Sequence, residues 1–163
     1  MEKIIIIGCP GSGKSTFARN LQRCTGLPLV HLDMLFWNED KTTVSREEFD
    51  KRLDFVLKTQ KWIIDGNYDR TLETRLKACD TVFFLDLPTD ICIEGVRKRI
   101  GKPRPDMPWV ETEEDSEFIE YIKDFKVTHR PNILSLLDKY NDKTVFTFHS
   151  HEEIGKYLSN FGE

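Results

Sequence analysis

Residues 2–16 read EKIIIIGCPGSGKST: four consecutive isoleucines run straight into a glycine-rich turn that ends Gly-Lys-Ser-Thr. A continuous β-branched run suits a strand covered on both faces, as in a parallel sheet. The segment after it matches GxxxxGK[ST] from Gly8 to Ser15, with Thr16 following. Glycines at such a turn let backbone N–H groups point inward around phosphate oxygens. A helix starting at Lys14 adds its free N–H groups and the positive end of its dipole. The residues expected to cradle a nucleotide are therefore Gly8, Pro10, Gly11, Ser12, Gly13, Lys14, Ser15 and Thr16. In this pattern the lysine reaches the β- and γ-phosphates and the next hydroxyl ligates Mg²⁺. Lys14 is thus a catalytic candidate, Ser15 a metal ligand and Thr16 a contact on the α-phosphate side, with ATP and Mg²⁺ the expected ligands.

Beyond the motif, short apolar runs alternate with helical patterns. PLVHLD (28–33), KWIID (61–65), TVFFLDL (81–87) and TVFTFHS (144–150) read as further strands. Helices are predicted from Lys14 to near Gly26, from the Ser45/Glu48 capping box through Leu57, up to about Arg99, and over 114–126, 130–140 and 152–158. Such alternation implies a parallel α/β sheet with right-handed crossovers, which binds ligands beyond the carboxyl ends of its strands. GKPRPDMPW (101–109) is too rich in proline for regular structure. It reads as part of a lid, about 100–116, inside one domain spanning 1–163.

Composition narrows the partners. The chain has 24 Lys and Arg against 28 Asp and Glu, a formal charge of −4, which counts against a dedicated nucleic-acid binder. Cys9, Cys24, Cys79 and Cys92 lack CxxC spacing and are expected to be reduced thiols rather than zinc ligands or a disulfide framework. The four-isoleucine run is too short for a signal peptide or a membrane span, so a cytoplasmic protein with no membrane partner is expected. No feature sets an oligomeric state.

The branch follows from absences and then from a resemblance. There is no NKxD guanine-reading motif and no LSGGQ, and the chain is too short for a RecA-like or AAA+ motor core. HLD (31–33), WIIDGNYDRT (62–71), VFFLDLP (82–88), an arginine-rich helix and lid, and a closing strand and helix follow the motif in that order. In this the chain resembles the adenylate kinase-related small P-loop kinases. Among them it is most similar to bacterial proteins labelled DNA topology modulation protein, through WIIDGNY, LDLP and RPDM (104–107). The resemblance covers nearly the whole chain. It implies the P-loop NTPase fold, a five-stranded parallel sheet of order 2-3-1-4-5 flanked by helices, and a mobile lid. It also implies ATP-dependent phosphotransfer to a small-molecule acceptor: a small nucleotide, a nucleoside or a hydroxyl-bearing metabolite. The alternative is a nucleotide-binding regulatory or nucleic-acid-associated protein that uses ATP as a switch.

Several residues then acquire candidate roles. Asp65, at the end of the third strand, suits a carboxylate holding Mg²⁺ through water and bordering the acceptor. Asp33, at the end of the second, is placed either to orient or deprotonate an acceptor hydroxyl, as an aspartate does in a comparable place in shikimate kinases, or to cap a helix or form a turn. Adenylate kinases carry DGFPR at the third strand, with the arginine on phosphate; here the arginine comes one position later, as Arg70. Arg97, Arg99 and Arg104 cluster about the lid, and Arg130 opens a later helix. By analogy with the two sides of a kinase lid, Arg97 and Arg130 are the first choices for closing on the γ-phosphate. Phe36, Trp37 and Tyr68 are read as an apolar wall or as packing, Asp86 as a loop anchor, and the acidic run 111–117 as the exposed start of a helix.

Overall fold

The computed structural model describes residues 1–161. The isoleucine run forms β1 (Lys3–Gly8), and Ile4 to Ile7 are fully buried, as a strand covered on both faces requires. β1 is the central strand of a five-stranded sheet. β3 (Trp62–Asp65) and then β2 (Leu29–His31) lie on one side, and β4 (Thr81–Leu85) and then β5 (Thr144–Phe148) on the other. Every neighbouring pair is parallel and the order is β2-β3-β1-β4-β5. Trp62 to Asp65 and Thr81 to Leu85 are buried throughout, whereas the edge strand β5 is largely open to solvent.

Helices supply the crossovers: α1 (Lys14–Thr25), α2 (Leu32–Phe36), α3 (Arg46–Leu57), α4 (Asp69–Ala78), α5 (Thr89–Arg99), α6 (Ser116–Thr128), α7 (Arg130–Lys139) and α8 (His151–Ser159). α3 starts where expected, with Ser45 Oγ accepting from the Glu48 N–H at 3.1 Å. The second strand is shorter than PLVHLD suggests. It ends at His31, and Asp33 lies in the first turn of α2 rather than at a strand end. The fourth and fifth strands also stop early, at Leu85 and Phe148. Among the described residues, no helix is long and apolar enough to cross a membrane.

Two backbone contacts shape the functional edge. The phosphate loop packs directly on α5: a Cβ at Gly11 would lie 1.9 Å from the Cys92 carbonyl oxygen, and one at Gly95 would lie 2.1 Å from the Gly11 oxygen. Only glycine at both positions allows that approach. Between α5 and α6 the chain has no helix or strand. The Gly101 N–H donates to the Glu111 carbonyl at 2.5 Å, closing residues 101–111 into a loop with a narrow neck.

Candidate functional site

A large cleft opens at the carboxyl edge of the sheet, with a volume of about 1280 Å³. That exceeds the space one drug-sized ligand fills, so two small molecules can share it. Its floor is the phosphate loop. Gly11, Gly13 and Gly8 all have positive φ, which turns their N–H groups inward. The Ser12 hydroxyl is buried within the loop without a hydrogen-bond partner and does not line the cleft. Lys14 Nζ donates to the Cys9 carbonyl at 3.1 Å. Burial pushes the Lys14 amine below its ordinary range, and the nearby Asp65 carboxylate opposes the shift. Ser15 Oγ accepts from Arg19 Nη1 at 2.5 Å, and Arg19 Nη2 reaches Thr16 Oγ1 at 3.3 Å. Arg19, one helical turn beyond the motif, is a cleft residue that the pattern does not flag.

Another part of the cleft is built on the turn after β3. Asp65 is buried and paired with His31 Nδ1 at 2.7 Å across the β2–β3 ladder. Asp33 Oδ1 accepts from the Tyr68 hydroxyl at 2.5 Å. Burial raises the Asp33 carboxyl above the ordinary range, and Tyr68 partly offsets this by stabilising the charged form. Tyr68 itself sits at φ 32°, an uncommon backbone state for a bulky residue. Arg75, fully buried on α4, holds it there by donating to the carbonyls of Gly66, Asn67 and Tyr68. Burial lowers the Arg75 guanidinium to about 10. The Asn67 amide meanwhile bonds both the N–H and the C=O of Gly8. Asn67 lies in the WIIDGNY stretch, but Arg75 belongs to no motif that sequence inspection singled out. Phe36 packs edge-on to Tyr68 at 5.3 Å, and Trp37 edge-on to Trp109 of the lid segment at 5.5 Å.

The arginines are distributed differently from the sequence expectation. Arg70 lies on the surface, bound to the Asp50 carboxylate through two hydrogen bonds of 3.0 and 2.6 Å, and does not line the cleft. Arg97 is also outward, paired with Glu114 at 2.5 Å. Arg130 clamps Asp86, with its Nε and Nη2 each 2.9 Å from one carboxylate oxygen. Those partners hold all three away from the cleft lining. Arg99, Arg104 and Arg19 line it instead. Arg99 is two positions after Arg97, about 200° around the helix, which turns one inward and the other out. The acidic run also divides. Asp115 caps α6, accepting from the Glu117 and Phe118 N–H groups, while Glu111 faces the cleft beside Arg99 and Arg104. His129 joins the cleft wall, bonded to Asp69, and the ring of His151 lies 3.2 Å from the Ser12 carbonyl oxygen.

No established protein-family profile matches the chain. Over 88 residues it is 28% identical to the adenylate kinases of Thermotoga petrophila and Thermotoga maritima, and 27% to that of Thermotoga neapolitana. The matched stretch covers 53% of this chain and only 39% of each of those enzymes. Among solved structures it is similar to the shikimate kinase from Acinetobacter baumannii in complex with shikimate, with a TM-score of 0.66 at 16% identity over 98% of this chain and 92% of that one. It is also similar to the shikimate kinase from Bacteroides thetaiotaomicron, with a TM-score of 0.57 at 19% identity over 96% and 93%. Identities this low speak to architecture. The chain has the P-loop kinase fold, a five-stranded parallel sheet of order 2-3-1-4-5 flanked by helices.

Proposed function

We propose that this chain is an ATP-dependent phosphotransferase, a small kinase whose acceptor is a small nucleotide, nucleoside or hydroxyl-bearing metabolite. The observation that carries the reading is a carboxylate in the same cleft as the glycine-rich loop: Asp33, half-buried and held by Tyr68, lines a space large enough for a second molecule. In this reading the chain is one P-loop kinase-like domain, and residues 100–116 act as its lid. The resemblance of WIIDGNY, LDLP and RPDM to the DNA topology modulation proteins fits this branch of small kinases.

Each residue's part follows from the chemistry of phosphoryl transfer, which asks for positioning and positive charge. Gly8, Pro10, Gly11, Ser12, Gly13 and Thr16 hold the triphosphate, and Lys14 bridges its β- and γ-phosphates. Mg²⁺ would be held by Ser15 Oγ and, through water, by Asp65; when bound it offsets phosphate charge. The positive-φ glycines Gly11 and Gly13 and the Lys14, Ser15 and Thr16 side chains on the cleft floor fit these ligands. Asp33 orients the acceptor hydroxyl and takes its proton as the new O–P bond forms and the bond to the β–γ bridging oxygen breaks. Arg99 and Arg104, rather than Arg97 and Arg130, are the arginines that face the cleft from α5 and the segment after it. Arg70, tied to Asp50, leaves the third-strand turn without the phosphate-gripping arginine of the DGFPR pattern. That favours a hydroxyl acceptor over a nucleoside monophosphate.

The test is ADP formation from Mg·ATP with panels of nucleoside monophosphates, nucleosides and small hydroxy compounds. An acceptor that raises turnover well above background hydrolysis is expected. Tight ATP binding with no acceptor-dependent turnover would replace this reading with that of a nucleotide switch.

A further inference from the structure

The last turn of α5 sends Arg97 and Lys98 to the surface, paired with Glu114 and Glu94, and turns Arg99 inward. Arg104 joins Arg99 from the lid segment, and both side chains are mostly buried, 22% and 14% exposed. The Glu111 carboxylate lies between them. Its Oε2 is 3.4 Å from Arg99 Nε, and its Oε1 is 3.7 Å from Arg104 Nη2. A charge-assisted N–H···O bond is about 2.7–2.9 Å, so each oxygen faces one nitrogen and bonds neither. Arg99 Nε and Arg104 Nη2 are buried without a hydrogen-bond partner, and so is the indole N–H of Trp109. All three residues line the cleft. A protein that leaves three buried donors unmet on one wall loses stability at each of them. The arrangement becomes favourable once a molecule brings oxygen atoms to that wall.

The charges indicate what kind of molecule. Arg99 and Arg104 face two carboxylates, Glu111 and Asp106, with Asp106 Oδ2 3.6 Å from Arg104 Nη1. Swinging the Glu111 side chain out takes one carboxylate from the arginine pair and leaves Asp106 at Arg104 and Asp33 on the Arg99 side. The Glu111 backbone stays fixed meanwhile, because its carbonyl is the acceptor at the neck of the loop. Trp109 and Trp37 supply an adjacent apolar surface for a carbon frame.

Resting on the reading of the cleft as a phosphotransferase site, we propose that Arg99, Arg104 and the Trp109 indole N–H form a subsite for an oxyanion group, carboxylate or phosphate, of the acceptor, and that Glu111 is the lid's own anion, displaced when the acceptor binds. The acceptor is then a hydroxyl compound with an acidic group. Its hydroxyl lies toward Asp33 and its anion on the arginine pair. Glu111 makes entry an exchange of one carboxylate for another anion, which rejects neutral alcohols.

The probes are inorganic phosphate and glycerate, a small hydroxycarboxylate, titrated by intrinsic fluorescence and calorimetry at constant ionic strength with Mg·ADP saturating the donor site. Glu111→Gln is expected to bind at least one probe five- to tenfold more tightly than wild type, and which probe gains identifies the acidic group. Arg104→Gln is expected to lose that binding and Arg104→Lys to retain part of it, with thermal unfolding showing that both variants fold. Mg·ADP affinity should change less than twofold in Glu111→Gln. Unchanged affinity for both probes in Glu111→Gln, or a change in Mg·ADP affinity alone, would overturn the proposal; the latter would assign the arginines to the donor. The phosphotransferase reading fails separately. If the probes show the Glu111→Gln gain while no acceptor is phosphorylated, the subsite stands and the kinase reading falls. If neutral alcohols are phosphorylated as well as acids and Glu111→Gln changes nothing, the reverse holds.

Discussion

The side-chain amide of Asn67 pairs with both the N–H and the C=O of Gly8, where the β1 and β3 backbones stop bonding each other. The amide thus continues the ladder for one more rung and ties the acceptor-side turn to the mouth of the phosphate loop. Asn67→Asp keeps the acceptor for the Gly8 N–H but sets a carboxylate oxygen against the Gly8 carbonyl. ATP affinity is expected to fall about tenfold, roughly 1.4 kcal/mol, with an unfolding midpoint lowered by a few degrees. Nucleotide titration of the two proteins checks this.

Arg75 is a fully buried cation whose partners are three carbonyls of one turn and the Thr71 hydroxyl. Arg75→Met fits the apolar part of the site and leaves those carbonyls without donors. The expected loss is about 3 kcal/mol, on the order of buried groups left unpaired. For a chain of this size that is a fall of about 6–12 °C in unfolding midpoint. Differential scanning calorimetry measures it.

Asp33 carries an opposite pair of effects. Its folded-state carboxyl is raised, so the folded protein holds that proton to higher pH than the unfolded chain does. Stability from this group is therefore lost as pH rises from the ordinary aspartate value, about 3.9, through the raised one. Asp33→Asn removes the loss. Its unfolding midpoint relative to wild type should climb with pH over that window and then stay level. Acceptor turnover should drop about 100-fold, within the range of general-base catalysis.

Tyr68 tunes the same carboxylate. Tyr68→Phe removes the hydrogen bond that favours the ionised form, so the acid limb of the pH–rate profile should move to higher pH. A limb that stays in place would show that Asp33 does not carry the acidic pKa of the reaction.

The arginines give a direct contrast. Arg70→Ala and Arg97→Ala remove exposed pairs with Asp50 and Glu114, and each is expected to leave kcat/KM within twofold. Arg99→Ala removes an inward guanidinium beside Asp33, and kcat should fall 100-fold or more. Steady-state kinetics on the acceptor found by the panel would order them.

The parts of this protein that could be read from sequence are those where one physical pattern acts alone. Ile4 to Ile7 are buried on both faces, and Gly8 to Thr16 form a loop only a glycine-rich run can make, so strand and cradle were both visible. α4 was not foreseen, because its inner face buries Thr71 and Arg75 beside Leu72 and Leu76, and a hydropathy pattern counts the first two as surface. α2 is a single turn, too short for any period, and it moves Asp33 off the strand end without moving it from the cleft. The choice among Arg70, Arg97, Arg99, Arg104 and Arg130 depended on which carboxylates stand near each in space. Asp50, Glu114 and Asp86 lie far from their partners in the chain.

At the contact of Gly11 with Gly95 the backbones of the glycine-rich loop and α5 meet directly. Soft side chains damp small movements; two touching backbones transmit them. Gly95 and Arg99 are one turn apart on the same helix, and the chain leaves that helix for the loop carrying Arg104, Trp109 and Glu111. α5 is therefore a stiff lever with one end against the floor of the site and the other under its roof. In the proposed kinase, a triphosphate pressing on the glycine loop would push on α5 at Gly95 and so on the turn that carries Arg99.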